Sequence, residues 1–302
     1  MPSPHERELD VAGFVAAFRQ RIAVACPGRL ALATRYALAL TPPKWTLEWY
    51  LPQWLSHRFG LDAELTRELT LSNLLGLVAV RLEDDLRDGE MPVSDVAGAE
   101  QLAVAAFDEA LAVYRARFDP GSPFWGFLER SMATWRAGAD GSDAPTRGAP
   151  IKIAAFACCL LADRKADWPR LNRCLDRTMS ALVAYDQFCD WEEDLAAGRW
   201  NAFVAAVSPG PQGLAERDRN RAAVLTAMLT GDVIDEHFRR IAAEAGDAAT
   251  RASELGLGSL RAYLVRWAAS SAAQGADVAR HYRSVADRAT QLMFGAARGG
   301  TG

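Results

Sequence analysis

Apolar residues recur at spacings of three and four along most of the chain, and alternating apolar and polar positions are scarce. The first spacing places apolar side chains on one face of an α-helix, whereas strict alternation is typical of a β-strand. The pattern therefore predicts an all-α protein. We expect helices at residues 8–25, 29–40, 44–58, 62–87, 95–117, 122–137, 149–163, 167–196, 214–229, 231–245 and 256–294.

Glycine and proline cluster in two predicted loops, at residues 137–150 and 208–213. Both loops are short and flanked by helix, which argues against a linker between domains. We therefore expect one α-helical domain over residues 1–302. Its glycine-rich end, residues 296–302, is expected to be a disordered tail.

The composition is that of a globular chain, because 50% of the 302 residues are hydrophobic and 24% are charged. The net charge is −4 and lysine and arginine form no run, which argues against nucleic acid as a partner. Five cysteines without a CxxC spacing indicate buried, reduced thiols and a cytoplasmic protein. The sequence shows neither a signal peptide nor a long uncharged apolar stretch, so no transmembrane segment is expected.

An almost wholly apolar stretch leads into the first acidic segment, which we define as residues 84–88, Asp-Asp-Leu-Arg-Asp. Asp84 and Asp88 are one turn apart on one helix face, and Asp85 lies about 100° around the axis. A diphosphate would be repelled by these carboxylates unless hard cations bridged them, and Mg²⁺ prefers oxygen ligands of this kind. The spacing therefore predicts a metal site.

Arg81 lies one turn before the first acidic segment, where its guanidinium could bind a phosphate through two hydrogen bonds. A second interpretation explains the segment equally well. Gly89 and Pro92 indicate a helix stop, so the acids could belong to a solvated helix end.

The second acidic segment, residues 186–194, carries Asp186, Asp190 and Asp194 as a stripe over two predicted helical turns. Like charges at this spacing repel one another, and a bound cation reverses that penalty. The alternative is an acidic stripe on the surface. Two aromatic residues, Phe188 and Trp191, interrupt the stripe and favour partial burial.

These residues resemble a known family, the class I isoprenoid synthases, which comprise trans-prenyltransferases, squalene and phytoene synthases, and class I terpene cyclases. Residues 84–88 match the first DDxxD motif of the family in full. Together with Arg81, they also resemble the RxxDDxxD motif of the squalene/phytoene branch. Lys152 is similar in position to the lysine of a diphosphate-binding Lys-Thr pair, although Ile153 replaces the threonine.

The second acidic segment carries resemblances of its own. Asp190 to Asp194, followed by Gly198 and Arg199, is similar to the DxxxD and trailing Gly-Arg of the squalene/phytoene branch. Gln187 fits the QxxDDxxD motif of trans-prenyltransferases, with a tryptophan in place of the second aspartate. Near the end of the chain, Arg280 and Tyr282 faintly resemble the Arg-Tyr pair that some bacterial cyclases use to sense diphosphate.

The resemblance implies an antiparallel helical bundle whose acidic rims bind three Mg²⁺ ions and the diphosphate above an apolar cavity for the isoprenyl tail. It also implies roles for individual residues. The catalytic set is Asp84, Asp85, Asp88, Asp190 and Asp194; the metal set is the same with Asp186; the diphosphate-binding set is Arg81, Lys152, Gln187, Arg199, Arg280 and Tyr282.

The leading hypothesis is a divergent class I terpene synthase that ionises one linear isoprenyl diphosphate and releases a hydrocarbon or alcohol. The Gly-Gly-Lys segment and the arginine pair that hold a second diphosphate in elongating prenyltransferases are absent, which favours this hypothesis. Two alternatives stay open: a prenyltransferase of the squalene/phytoene or elongating type, and a non-catalytic partner of an isoprenoid synthase. A homodimer fits the large apolar fraction.

Overall fold

The computed structural model describes residues 9–138 and 144–298, with side chains as far as residue 291. Within these residues every regular element is helical, so the predicted all-α class is confirmed. None of the described helices combines the length and the apolar character of a membrane-spanning segment. The α-helices are α1 (Val11–Ala25), α2 (Leu30–Ala39), α3 (Thr46–Phe59), α4 (Ala63–Arg87), α5 (Val96–Arg115), α6 (Pro123–Ala137), α7 (Ala144–Arg147), α8 (Ile151–Leu161), α9 (Trp168–Cys189), α10 (Trp191–Ala197), α11 (Ala202–Val207), α12 (Arg217–Thr230), α13 (Val233–Glu254) and α14 (Gly258–Arg298).

The chain forms two compact units. Unit 1 comprises Met1–Thr134 and Ala149–Pro169, and unit 2 comprises Trp135–Gly148 and Arg170–Gly302. The first acidic segment belongs to unit 1 and the second to unit 2. The expectation of a single domain over residues 1–302 stays a prediction.

Unit 1 is built around helix α4, which packs antiparallel to α5. The hydroxyl of Ser72 donates to the carbonyl of Ala110 at 2.8 Å, and Arg117 pairs with Glu68 at 2.7 Å one turn further along. Asp62 starts α4 by accepting a hydrogen bond from the backbone N–H of Leu65 at 2.8 Å. Apolar faces of α1, α2 and α5 complete the core around α4, so the acidic end of α4 continues from a packed helix.

A proline inside α3 creates a specific link between α3 and α4. Pro52 has no backbone N–H, so the carbonyl of Glu48 lacks its helical hydrogen-bond donor. The side-chain amide of Asn73 on α4 replaces that donor, at 2.6 Å from the Glu48 oxygen. Because an unpaired buried carbonyl is costly, this bond fixes the register of the two helices at this level.

Unit 2 is organised by α13 and α14, which also pack antiparallel. A Cβ on Gly275 would lie 2.3 Å from Cγ of Phe238, so the glycine permits the close approach of the two helices. Phe238 also packs edge-on against Phe188 of α9 in the apolar core of this unit. Nε2 of His237 lies 2.9 Å from the carbonyl of Ala184, and burial lowers the pKa of the imidazole, so the neutral ring donates this bond.

Most predicted helices coincide with the observed ones to within three residues at each described end, and the predicted loop at 208–213 is confirmed. The predicted end of a helix at residue 245 is wrong, because buried Ala248 and Ala252 continue the inner face of α13 to Glu254. Helices α7 and α11 are too short for a periodic pattern to reveal them. The predicted loop at 137–150 contains α7, and its residues 139–143 lie outside the described residues.

The predicted tail at 296–302 is described only in part. Helix α14 reaches Arg298, so residues 296–298 are helical. Residues 299–302 lie outside the described residues, and disorder at this end stays a prediction.

The link between Asn73 and Glu48 predicts a coupling with Pro52. Asn73→Ala should lower the free energy of unfolding by about 1–3 kcal/mol, because it leaves a part-buried carbonyl without a donor. In a Pro52→Ala background residue 52 regains an N–H for that carbonyl, so the same substitution should cost about 1 kcal/mol less. Urea unfolding of the four proteins measures both costs, and strictly additive costs would contradict the assignment.

Candidate functional site

The first acidic segment closes α4, and the end of the helix is shaped by Gly89. This glycine adopts a left-handed conformation with φ of 70°, and the N–H of Glu90 returns to the carbonyl of Asp85 at 2.9 Å. The turn brings the Glu90 carboxylate back to Nη2 of Arg81, at 3.4 Å. The predicted helix stop is therefore real, and it gathers acids around one arginine.

Arg81 is the centre of this cluster. Its guanidinium lies 3.1 Å from Oδ2 of Asp84 and 2.8 Å from Oδ1 of Asp85. Arg87 adds a longer pair with Asp84 at 3.9 Å. The structure therefore brings Arg81, Asp84 and Asp85 together, and the arginine offsets the repulsion between the acids. The predicted role of Arg81 in binding phosphate stays a prediction.

Asp85 is the most firmly held acid of the segment, and its side chain is only 15% exposed. The hydroxyl of Tyr36 on α2 donates to Oδ2 of Asp85 at 2.5 Å. Burial raises the pKa of Tyr36, and the hydrogen bond with Asp85 raises it further, so the phenol stays protonated and acts as the donor. Asp84, by contrast, is 32% exposed, and Asp88 is exposed at the C-cap of α4.

The second acidic segment does not form the continuous helix that the sequence predicts over 167–196. Helix α9 ends at Cys189 and α10 begins at Trp191, because Asp190 adopts a non-helical backbone with φ of −103° and ψ of 8°. The backbone N–H groups still reach back four residues, from Asp190 to Asp186 and from Asp194 to Asp190, each at 2.9 Å. The three aspartates therefore lie along a bent junction and not along one straight stripe.

Asp194 is held in the same manner as Asp85. Its side chain is 17% exposed, and Nε of Arg199 lies 3.0 Å from Oδ1. The amide of Asn201 donates to Oδ2 at 2.7 Å. Gly198, in a left-handed conformation with φ of 72°, ends α10 and lets the N–H of Arg199 reach the carbonyl of Asp194 at 2.8 Å.

Asn201 ties this segment to its surroundings through all of its polar groups. Its amide also donates to the backbone carbonyl of Gln187 at 2.8 Å, and its side-chain oxygen caps α11 by accepting from Phe203 and Val204. Its backbone exchanges two hydrogen bonds with the side chain of Gln212, at 2.7 and 3.0 Å. Asn201 is fully buried, so this network is a rigid support for Asp194.

The two segments therefore share a local design. Each has one shielded aspartate held by an arginine and by a neutral donor, followed by a left-handed glycine that turns the chain. Each also has one less restrained acid, namely Asp88 in the first segment and Asp186 in the second. The carboxylates of Asp88 and Asp186 have no hydrogen bond or ion pair with another side chain in the described part of the chain.

Three further predicted diphosphate-binding residues lie on α8 and α14. Lys152 is buried on α8, a helix of unit 1 that packs on α3 and α4. Arg280 is exposed on α14 and forms an ion pair with Asp277, one turn away on the same helix. Tyr282 is half-buried on α14; burial raises the pKa of its phenol, and the nearby carboxylate of Glu192 raises it further.

The donor chemistry of both segments suits Mg²⁺, although no group of three or more potential ligands is arranged around a metal position in the described residues. Mg²⁺ commonly takes only one or two carboxylates from a protein and completes its octahedron with phosphate oxygens and water. The less restrained acids, Asp88 and Asp186, provide one such carboxylate in each segment. The residues present are therefore compatible with the ion.

Sequence reasoning misses two residues that shape these segments, Tyr36 and Asn201. Tyr36 is 49 residues from Asp85, and no spacing rule connects the two positions. Asn201 carries a usable signal, because asparagine before an apolar run is typical of a helix N-cap. Its contacts with Gln187 and Asp194 follow only from the bend at Asp190.

Open depressions of about 260 Å³ in unit 1 and about 500 Å³ in unit 2 are lined by other residues. The first lies between α1, α4 and α5, and the second lies between α13 and α14. Neither depression contains a residue of the acidic segments, so the candidate site is identified by its charged groups and not by a cavity.

No family model, curated protein or solved structure matches this chain.

The contact between Tyr36 and Asp85 predicts a measurable coupling energy. A double-mutant cycle with Tyr36→Phe and Asp85→Asn should give about 1–2 kcal/mol, because a hydroxyl donates to a shielded carboxylate. Chemical unfolding of the four proteins measures this energy. Tyr50→Phe is the matched control, since the hydroxyl of Tyr50 makes one long hydrogen bond among the described residues, at 3.4 Å from the N–H of Leu9. Coupling between Tyr36 and Asp85 no larger than the experimental error would refute their contact.

The network around Asn201 predicts a large loss of stability. Asn201→Ala should lower the free energy of unfolding by about 2–4 kcal/mol, because it removes a helix cap and leaves buried partners unpaired. Asn172→Ala on α9 is the control and should cost less than about 1 kcal/mol. In the part of the chain that the structure describes, the Asn172 side chain makes one hydrogen bond, to Asp176 at 3.1 Å. Thermal unfolding compares the two variants, and equal losses would show that Asn201 is an ordinary polar residue.

Proposed function

We propose that this protein is a divergent class I terpene synthase of the isoprenoid synthase type. It ionises a linear isoprenyl diphosphate and converts the resulting carbocation into a hydrocarbon or alcohol. The observation that carries the proposal is the repeated design of the acidic segments. In both, an arginine and a neutral donor hold one aspartate, and one neighbouring acid, Asp88 or Asp186, stays less restrained.

A role in binding hard cations would explain why each segment clusters its acids and holds one of them with an arginine and a neutral donor. Bound Mg²⁺ would supply a Lewis acid that neutralises the diphosphate as it leaves. Asp84, Asp85 and Asp88 would hold the ion at the first segment, and Asp186, Asp190 and Asp194 would hold it at the second. Three ions in all is the number that the family resemblance implies.

Arg81 and Arg199 have a second task in this proposal. Both guanidiniums pair with acids of their own segment, at 2.8 Å and 3.0 Å. Once cations neutralise those acids, the planar guanidinium groups are available to bind phosphate oxygens. Lys152, Gln187, Arg280 and Tyr282 stay candidates for the same task.

One face of α4 supports a substrate with a long apolar tail. Leu77 and Val80 share this face with Asp84, because the three positions follow a helical spacing of three and four. Both are only half-buried, in contrast to the packed face that carries Leu75 and Val78. An apolar surface that leads to an acidic end fits a molecule with a diphosphate head and a hydrocarbon tail.

Product analysis tests the proposal. The purified protein is incubated with Mg²⁺ and each linear isoprenyl diphosphate from C10 to C25, and extracts are examined by gas chromatography with mass spectrometry. One substrate should give a hydrocarbon or alcohol together with free diphosphate. Asp84→Ala and Asp190→Ala should each lower that rate by about 100-fold or more, as expected when charge stabilisation of a leaving group is lost.

Asp108→Asn is the matched control, because Asp108 is 61% exposed on α5 and pairs only with Arg115 among the described residues. It should keep the rate within about twofold, since an exposed pair contributes little. Longer linear diphosphates as the only products, or a requirement for two diphosphates, would replace the proposal by a prenyltransferase. Failure to convert any substrate, alone or in pairs, would favour the non-catalytic partner of a synthase.

A further inference from the structure

One buried side chain links the two helices of the second acidic segment. Helix α9, which carries Asp186, ends before the bend at Asp190, so the carbonyls of its last turn have no N–H partner within the helix. The side-chain amide of Asn201 donates to one of them, the carbonyl of Gln187, at 2.8 Å. The same nitrogen donates to Oδ2 of Asp194 on α10, at 2.7 Å. A single amide group therefore joins the helix before the bend to the helix after it.

The orientation of this amide is fixed from its other side. The Asn201 oxygen accepts from the backbone N–H groups of Phe203 and Val204, at 2.9 and 3.1 Å, so the nitrogen points toward the acidic segment. The backbone of Asn201 is held by two hydrogen bonds with Gln212. Asn201 has no exposure to solvent, so the amide cannot rotate without leaving several buried groups unpaired.

These contacts hold Asp194 and still leave it able to bind a cation. Nε of Arg199 donates to Oδ1, and the Asn201 amide donates to Oδ2. An ionised carboxylate has about four lone-pair sites, so each oxygen keeps a site for another ligand. Groups that hydrogen-bond to a ligating carboxylate orient it, and their loss typically lowers metal affinity by about 10- to 100-fold.

We propose that Asn201 is a positioning residue that fixes the bend at Asp190, and with it the separation of Asp186 and Asp194, the outer acids of the second segment. This inference rests on the proposed function, in which those acids hold Mg²⁺. Asn201 acts through Asp194 and through the end of α9. Because Mg²⁺ demands near-ideal geometry at about 2.0–2.1 Å from its oxygen ligands, a looser bend should raise the Mg²⁺ concentration that binding requires.

The test measures the Kd of inorganic diphosphate at a series of Mg²⁺ concentrations by isothermal titration calorimetry. It compares the wild-type protein with Asn201→Ser. Serine is a favourable N-cap, so this variant can keep the cap of α11, but one hydroxyl proton cannot serve both Gln187 and Asp194. At low Mg²⁺ the Kd should rise about 10- to 100-fold, and high Mg²⁺ should return it toward the wild-type value.

Thr178→Ala is the control for lost stability. Thr178 is buried on α9, about two turns before Asp186, and its hydroxyl donates to the carbonyl of Cys174 at 2.9 Å. This variant should lower the melting temperature and keep the diphosphate Kd within about twofold of the wild-type value, since the bend is intact. Circular dichroism verifies that each variant is folded at the temperature of the titration.

Gln212→Ala keeps the inference testable if Asn201→Ser does not fold. Among the described residues, the Gln212 side chain hydrogen-bonds to the backbone of Asn201 and to no acid. Its removal loosens Asn201 and leaves every carboxylate in place. The Kd at low Mg²⁺ should rise about threefold or more, a smaller effect in the same direction.

Each outcome decides one claim. A wild-type Kd in Asn201→Ser, or in Gln212→Ala where Asn201→Ser is unfolded, would overturn the role of Asn201 and leave the proposed function standing. An equal rise in Thr178→Ala, or a rise that high Mg²⁺ does not reduce, would overturn that role as well. Absence of diphosphate binding by the wild-type protein at saturating Mg²⁺ would overturn both the role and the proposed function.

Discussion

The repulsion between clustered carboxylates is the constraint on which both acidic segments depend. Acids one turn apart destabilise a helix unless nearby positive charges or donors offset them. Arg81 and Tyr36 offset the repulsion at Asp85, and Arg199 and Asn201 offset it at Asp194. Left-handed glycines then turn the backbone, which returns Glu90 to Arg81 in the first segment and Arg199 to Asp194 in the second.

This arrangement separates two tasks that a line of aspartates would otherwise share. One acid in each segment is shielded and fixed, which gives the segment a defined shape before any ligand binds. The less restrained acids, Asp88 and Asp186, keep oxygen lone pairs that no other side chain occupies in the described part of the chain. Preorganisation of this kind lowers the cost of assembling a charged site, because fewer groups must be reoriented when the ligand arrives.

Much of the fold follows from the sequence, because a repeat of three and four is a direct property of helices. The limits of α4 were predictable to within one residue, since Asp62 is a capping residue and Gly89 is a stop. The bend at Asp190 was not, because a local backbone change at one residue leaves the periodic pattern intact. Tyr36 was also out of reach, because contact of α2 with the end of α4 is a consequence of tertiary packing.

Thermal unfolding with inorganic diphosphate is the most direct test of whether the acidic segments bind diphosphate through Mg²⁺. Diphosphate and Mg²⁺ together should raise the melting temperature by several degrees, since a ligand at about 100 times its Kd stabilises the folded state by about 2.7 kcal/mol. Each component alone should have little effect, and Asp84→Ala combined with Asp190→Ala should abolish the rise. An equal rise in the double variant, or no rise at saturating concentrations in the wild-type protein, would show that the acidic segments do not bind diphosphate through Mg²⁺.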